Sequence, residues 1–409
     1  MKKFKCLLIT LLVYTLSGCW DQGELEQFAF PIVIGFDKGE KDLIKVTYQI
    51  ANPQQGALAR TSGSQDTNPS EIITLSAPDF LSSRDLANIS VTREIHFSHV
   101  KQIIISEELA RSKEFELIME STFRDRQLRR NTNVIITREK ASDFIRNNDP
   151  QLERRPHKYY ELMSARWEET GLMPDATINR YFELMGGHTG LFLAVLATAN
   201  KEEPKFENED EYLAGEVEKE GGNPTQMMGS AVIKDGKMIG TFTGEETRLA
   251  LLLRPDSKTD TMITTYKDPL APDYRISAML LKTEKNKVKI DTTKKIPEVD
   301  VIVRVDVQVL NIPSKIDYVE DFKKQEILKK TVRSQLESKA KKLVERTQKE
   351  FKGEPFRWAY AVRKEFATWD EYKEYEWSKK YQDAKVNIKY EIEITGFGIQ
   401  LKPTQEPEE

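Results

Sequence analysis

Residues 301–310, VIVRVDVQVL, and residues 319–351, VEDFKKQEILKKTVRSQLESKAKKLVERTQKEF, set two periodicities side by side. Val301, Val303, Val305, Val307 and Val309 alternate with Ile302, Arg304, Asp306, Gln308 and Leu310. A period of two with one β-branched face reads as a half-buried strand. In the second stretch Phe322, Gln325, Leu328, Val332, Leu336, Ala340, Leu343, Thr347 and Phe351 recur about every 3.6 residues, with Lys, Arg and Glu between them. That predicts one long amphipathic helix packed on a sheet through its apolar stripe and ended by Gly353 and Pro355. Strand and helix together point to an α+β fold.

The flanking chain extends this pattern. Downstream, Phe356, Trp358, Tyr360, Phe366, Trp369, Tyr372, Tyr375, Trp377 and Tyr381 crowd one segment. They can form a sugar, peptide or partner platform, but helical spacing favours a core. Val386–Ile394 alternates as a last strand. Upstream, Asp235-Gly236 between Gly229–Lys234 and Lys237–Phe242 predicts a hairpin whose turn needs positive φ. Thr243-Gly244-Glu245-Glu246 is a capping box opening a helix to about Leu253. Ile276–Lys282 and Lys287–Asp291 predict a second hairpin.

In the first half, Phe30–Phe36 and Leu43–Ala51 form a hairpin pattern, and residues 52–70 an exposed loop. Strands are expected at Ile72–Ser76, Val100–Ser106, Asn133–Thr137 and Leu191–Ala199. Between them lie helices over Pro78–Ile89, from a Ser106 cap to Phe123, over Ala141–Ile145, and over 157–185 in two pieces broken at Gly171–Pro174. Residues 201–226 hold nine acids against three lysines, with Gly221-Gly222 and Pro224. A solvated connector is expected there, an ordered excursion being the alternative. The expected organisation is a multi-domain α+β ectodomain with antiparallel or mixed sheets: an N-terminal domain over 28–200, a linker over 201–226, and a C-terminal region over 227–404 of one domain, or of two split near 255–275. Residues 405–409 form a frayed tail.

The chain opens MKKFKCLLITLLVYTLSGCW. Lys2, Lys3 and Lys5 precede an apolar run from Cys6 to Leu16, then Ser17, Gly18 and Cys19. This is the pattern of a secretory signal peptide. The run is too short to span a bilayer, which takes about 20 residues. Leu16-Ser17-Gly18-Cys19 resembles a bacterial lipobox, against the alternative of an ordinary signal peptide with an incidental Cys. On the lipobox reading residues 1–18 are cleaved, Cys19 carries S-diacylglycerol and can be N-acylated, and residues 19–27 form a lipidated tether.

The 409 residues carry 62 basic and 66 acidic side chains; loss of residues 1–18 leaves 59 against 66, a net charge of −7. An acidic chain without a basic stripe argues against nucleic acid as a partner. It also leaves membrane attachment to lipid. Cys6 and Cys19 are the two cysteines, so the mature chain has neither a disulfide nor a cysteine-built metal site. His96 and His99 would point to opposite faces of an extended segment, which disfavours a metal pair. Gly186-Gly187-His188-Thr189-Gly190 reads as a turn, not a phosphate loop. The cluster Arg124, Asp125, Arg126, Arg129 and Arg130 fits a solvated helix end, or an anion or partner contact. No catalytic motif occurs, and neither cofactor nor metal is expected.

Several stretches resemble one family in the same order. Cys19-Trp20-Asp21, Glu24-Leu25 and Gly35-Phe36-Asp37 resemble the start of the C-subunit lipoproteins of spore germinant receptors, the Ger(x)C family. Phe97-Ser98-His99 to Ser106-Glu107-Glu108-Leu109-Ala110, Arg124-Asp125 to Arg129-Arg130-Asn131, and Gly229–Thr247 are similar to later family segments. So are the long basic helix, the Trp-containing segment and the last strand ending in Thr395-Gly396. One departure is Arg346–Gly353, RTQKEFKG, where the family tends to have an Asp and glycines. The resemblance implies a non-catalytic lipoprotein held by Cys19 on the outer face of the inner membrane of the spore. Its implied partners are two integral-membrane receptor subunits, of A and B type, in a complex that answers nutrients by triggering germination. The alternatives are a free solute-binding lipoprotein closing two lobes on a small ligand, and a surface hydrolase.

Overall fold

The computed structural model of the chain describes residues 24–52, 69–185, 190–205, 211–257 and 259–398. The leader with Cys19, the loop expected within 52–70, the turn containing His188 and the tail from 399 therefore lie wholly or mostly outside the described residues.

The first half comprises β1 (Phe28–Ala29), β2 (Pro31–Lys38), β3 (Ile44–Ala51), β4 (Ser70–Ala77), α1 (Phe80–Asn88), β5 (Glu94–Ile95), β6 (Gln102–Ser106), α2 (Glu107–Ala110), α3 (Glu114–Arg124), β7 (Asn133–Thr137), α4 (Ala141–Asn147), α5 (Pro156–Thr170), α6 (Ile178–Met185) and β8 (Phe192–Thr198). The chain continues with β9 (Gln226–Lys234), β10 (Lys237–Phe242) and α7 (Gly244–Leu253). An eight-stranded sheet runs in the order β10-β9-β8-β7-β6-β2-β3-β4. Its middle, β8-β7-β6-β2, is parallel, and both flanks are antiparallel. Composition explains the division. QIIIS, NVIIT and FLAVLAT are almost continuously apolar and buried, as parallel strands covered on both faces must be. A buried carboxylate, Asp37 on β2, accepts the N–H groups of Ala141 and Ser142 at 2.7 and 3.0 Å and so fixes the start of α4.

The second sheet uses β11 (Thr259–Lys267), β12 (Arg275–Lys282), β13 (Lys287–Asp291), β14 (Glu298–Asn311) and β15 (Lys385–Gly396). Both β12 and β13 pair antiparallel with β14, β12 with its C-terminal half and β13 with its N-terminal half. The hairpin expected from Ile276–Lys282 and Lys287–Asp291 is therefore one strand line broken at 283–286. Asn286 makes the break: its side-chain amide donates to Leu252 O and Arg254 O, at 2.7 and 3.0 Å. The other edge of β14 pairs in parallel with β15. The crossover between them carries α8 (Phe322–Arg346), α9 (Ala359–Arg363), α10 (Trp369–Tyr375) and α11 (Trp377–Lys380). Leu328, Val332, Leu336, Ala340, Leu343 and Val344 of α8 are buried against the valine face of β14. Each Leu or Val contributes about 1.5–3 kcal/mol by burial. The ion pair Arg346–Glu246 to α7, part-exposed at 2.6 Å, is of a kind worth about 1 kcal/mol or less. The apolar stripe therefore holds the helix, and the pair orients it.

Several local expectations meet corrections. The α8 stripe starts later than expected, since Phe322 is 74% exposed, and its last turn, Thr347–Phe351, widens to a π-helix. The single helix from Ser106 to Phe123 is split into α2 and α3, and Ser106 makes no side-chain cap. The segment HFSH is not extended: Phe97–His99 forms a 3₁₀ turn. Residues 201–226 are solvated only in part: 217–222 are exposed, whereas Leu213 and Ala214 are buried in the first core, and Glu202 N–H donates to Gly215 O at 2.9 Å. The first sheet also runs across this segment, since β9 and β10 join β8.

Two other readings meet the structure directly. Asp235 and Gly236 both have positive φ, at 47° and 70°, in the β9–β10 turn, and Thr243 with Glu246 closes the capping box. The aromatics of 356–381 are largely core, with Phe356, Trp358, Tyr372, Tyr375, Trp377 and Tyr381 buried.

The two cores meet along β8 and β9. Phe192, Ala194, Ala231 and Ile233 belong to the first core, whereas Leu191, Leu193 and Val232 belong to the second. The end of α8 is seated on this seam. Lys234 Nζ donates to Phe351 O and Lys352 O at 3.3 and 2.9 Å, and Leu191 N–H donates to Glu354 O at 2.9 Å. A Cβ on Gly240 would lie 2.6 Å from the Phe351 ring. Gly240→Val is expected to lower the unfolding free energy by about 1–3 kcal/mol through overpacking. Adding Phe351→Leu should recover part of the loss, and urea titration of the single and double variants measures both.

Candidate functional site

At the same junction lies a cavity of about 480 Å³, within the size range of small-molecule sites. The first half supplies Trp167 from α5 and the segment 173–180. The second half supplies the end of α7 with residues 254–257, and Arg357. Charge dominates its wall. Arg180 pairs with Asp175 at 3.0 Å and with Glu183 at 2.7 Å. Arg357 reaches Asp256 at 3.2 Å and Asp175 at 3.6 Å, tying the two halves together. It does so from a left-handed backbone, φ 60°, an uncommon conformation for a residue with a Cβ.

Arg254 differs from the other two. It is 4% exposed, and its Nε donates to Pro355 O at 3.2 Å. Burial pulls its pKa down to about 9, which still leaves it charged near neutral pH. Behind it sits Glu354, also buried, whose carboxylate accepts the N–H groups of Phe356 and Ala359 at 2.6 and 2.8 Å. Burial pushes Glu354 up to about 7, against those hydrogen bonds and the Arg254 charge, which lower it. Lys282, fully buried, donates to Ser257 O and Ser257 Oγ. Burial pulls it down to about 8.

The residues singled out from the sequence are elsewhere. Cys19 and His188 lie outside the described residues. The rings of His96 and His99 flank Phe30, with centroids 6.0 and 4.6 Å away, so the pair serves aromatic packing. In the arginine cluster Asp125 accepts the N–H groups of Gln127 and Leu128, and Arg130 stacks on Phe123, 3.7 Å from the ring centre. The cluster is thus a turn held by Asp125 just after the end of α3, with Arg124, Arg126, Arg129 and Arg130 exposed. Among the described residues no group of three or more His, Cys, Asp or Glu side chains could hold a metal ion. No described helix is long and apolar enough to cross a membrane.

A two-core α+β module with a charged, solute-sized cavity at its seam is the class that the fold and site define. The chain belongs to the Ger(x)C family of spore germination proteins. Residues 21–198 match the spore germination protein N-terminal domain, and residues 228–398 match the spore germination B3/GerAC-like C-terminal domain. Among curated relatives from Bacillus subtilis (strain 168), it is 28% identical to spore germination protein KC over 148 residues, 35% of this chain and 36% of that protein. It is 24% identical to spore germination protein B3 over 60% of this chain and 59% of that one. With spore germination protein YndF the identity is 20%, over 96% of both chains. The matches to KC and B3 thus span about a third to three fifths of those relatives. The crystal structure of the GerBC protein shares the fold, with a TM-score of 0.50 at 16% identity over 88% of this chain and 96% of that one.

The position of Glu354 makes stability depend on pH. Its folded pKa, about 7, lies above the unfolded value of 4.5, so folding favours the protonated form. The contribution is fully present below the unfolded value and is lost as pH rises towards the folded one. The loss is of order 3 kcal/mol at most. Glu354→Gln should flatten this slope. It should also lower stability at acid pH, since its NH₂ would face a backbone N–H. Thermal melts of both proteins from pH 4 to 8 measure the two effects.

Proposed function

We propose that this chain is the lipid-anchored, non-catalytic C-type subunit of a nutrient germinant receptor, required for spores to respond to germinants. The observation that carries the reading is the match of both family domains, in order, behind a leader ending in Leu16-Ser17-Gly18-Cys19. In this reading the Cys19 thiol takes the diacylglycerol and holds the ectodomain on the outer face of the inner spore membrane. Its partners there are two integral-membrane subunits of A and B type. Two acyl chains suffice for stable anchoring where one is marginal, at about 0.8 kcal/mol per buried CH₂. The net charge of the processed chain supplies no electrostatic substitute.

The second reading, a free solute-binding lipoprotein, is favoured by the cavity between the cores. Co-purification separates the two: a receptor subunit comes out of spore membranes with polytopic partners, and a free binder comes out alone. Cys19→Ala should move the protein from the membrane to the soluble fraction and slow nutrient-triggered germination. A variant that stayed membrane-bound with normal germination would refute the anchor.

A further inference from the structure

We propose that the cavity at the seam of the two cores binds a small oxyanion, a carboxylate or phosphate group, with the Arg254 guanidinium as its anchor. The inference is independent of the receptor-subunit reading.

Three observations carry it. First, the three arginines on the wall are not equivalent. Arg180 and Arg357 are each held by two carboxylates. Arg254 has no carboxylate oxygen within ion-pair distance among the described residues, and its single hydrogen bond there, from Nε to Pro355 O, leaves the terminal nitrogens unused. A buried guanidinium without a counter-charge is costly, and a bidentate oxyanion is its natural complement.

Second, the neighbouring carboxylates support the Arg254 charge only from beyond ion-pair distance. The oxygens of Glu354 are engaged by backbone N–H groups, and Asp256 and Asp175 are shared with Arg357. Lys282 adds a further buried cation close behind Ser257, which lines the cavity. The indole N–H of Trp167, which lines the cavity, is also buried without an acceptor among the described residues.

Third, the site is built. Arg357 adopts a positive φ, and non-glycine residues in such sparsely populated conformations cluster at ligand sites. Its two carboxylate partners come from both halves of the chain, so a ligand on Arg254 would sit beside the clasp that joins them. The cavity leaves room for a solute much larger than its anionic group. Trp167, Met173, Pro174 and Leu251 offer that remainder an apolar wall.

The test is calorimetric titration of the full chain, purified in detergent, with inorganic phosphate and separately with acetate. Saturable binding of either supports the site, and the preferred probe tells a phosphorylated ligand from a carboxylate. Arg254→Gln should weaken that binding about tenfold or more, the scale of a lost charge-assisted pair. Asn131→Asp sets a negative charge on the exposed rim of the cavity and should weaken it about threefold or more, which keeps the test open if Arg254→Gln does not fold. No saturable binding of either probe up to about 10 mM, or binding unchanged in a folded Arg254→Gln or in Asn131→Asp, overturns the proposal. Membrane retention and germination of Cys19→Ala report separately, so either conclusion can fail alone.

Discussion

The architecture depends on strand β8 being apolar on both sides. Phe192 and Ala194 face one core while Leu193, with Leu191 just before the strand, faces the other. A strand with a single apolar face would close one core and leave the second without a wall. β9 repeats the arrangement with Ala231 and Ile233 on one side and Val232 on the other. The chain beyond residue 226 is attached through this pair, and also through Arg357 to Asp175 and Arg248 to Thr170 O. The last turn of α8 ends against it, its carbonyls satisfied by Lys234 and its Phe351 ring seated over Gly240. The chain carries two family domains in sequence, but in packing the boundary between them is a shared sheet.

Local chemistry made much of this legible. Asp235-Gly236 specifies its turn by backbone sterics alone, and Thr243 with Glu246 satisfies helix N–H groups within four residues. The alternation at 301–309 and the stripe from Leu328 to Leu343 needed no tertiary information. The readings that differed turn on distant partners. Two short strands separated by four residues look like a hairpin until β14 is seen to pair with both and Asn286 is seen to bond the end of α7. The acidic composition of 201–226 suggested solvent, which 217–222 meet, yet Leu213 and Ala214 dock the middle of the segment on the first core.

The candidate site was illegible for a related reason. Arg254 and Arg357 stand about a hundred residues apart, with Asp175 a further eighty upstream, and none belongs to a motif. An arginine in sequence gives no sign of whether a carboxylate will be waiting for it. The one available signal was the segment Leu251–Asp256, LLLRPD, in which an arginine directly follows a buried helix end and must either pair or stay buried. The histidines and the 124–130 arginines drew attention because they are clustered in sequence; His96, His99 and Arg130 proved to pack on aromatic rings, and Asp125 to hold a turn.

The pairing of β14 with β15 has a temporal consequence. Glu298 meets Lys385 and Val305 meets Ile392, so partners 87 residues apart complete the second sheet. β15 is an edge strand that this core requires. A chain delivered N-terminus first, from a ribosome or through a translocation pore, can assemble the first sheet while its end is still in transit. The valine face of β14 and the apolar stripe of α8 must wait, exposed, until residue 396 has emerged. Non-local closure of this kind is slow and prone to mispairing. The lysines, arginines and glutamates on the other faces of α8 keep that waiting half hydrated until β15 arrives.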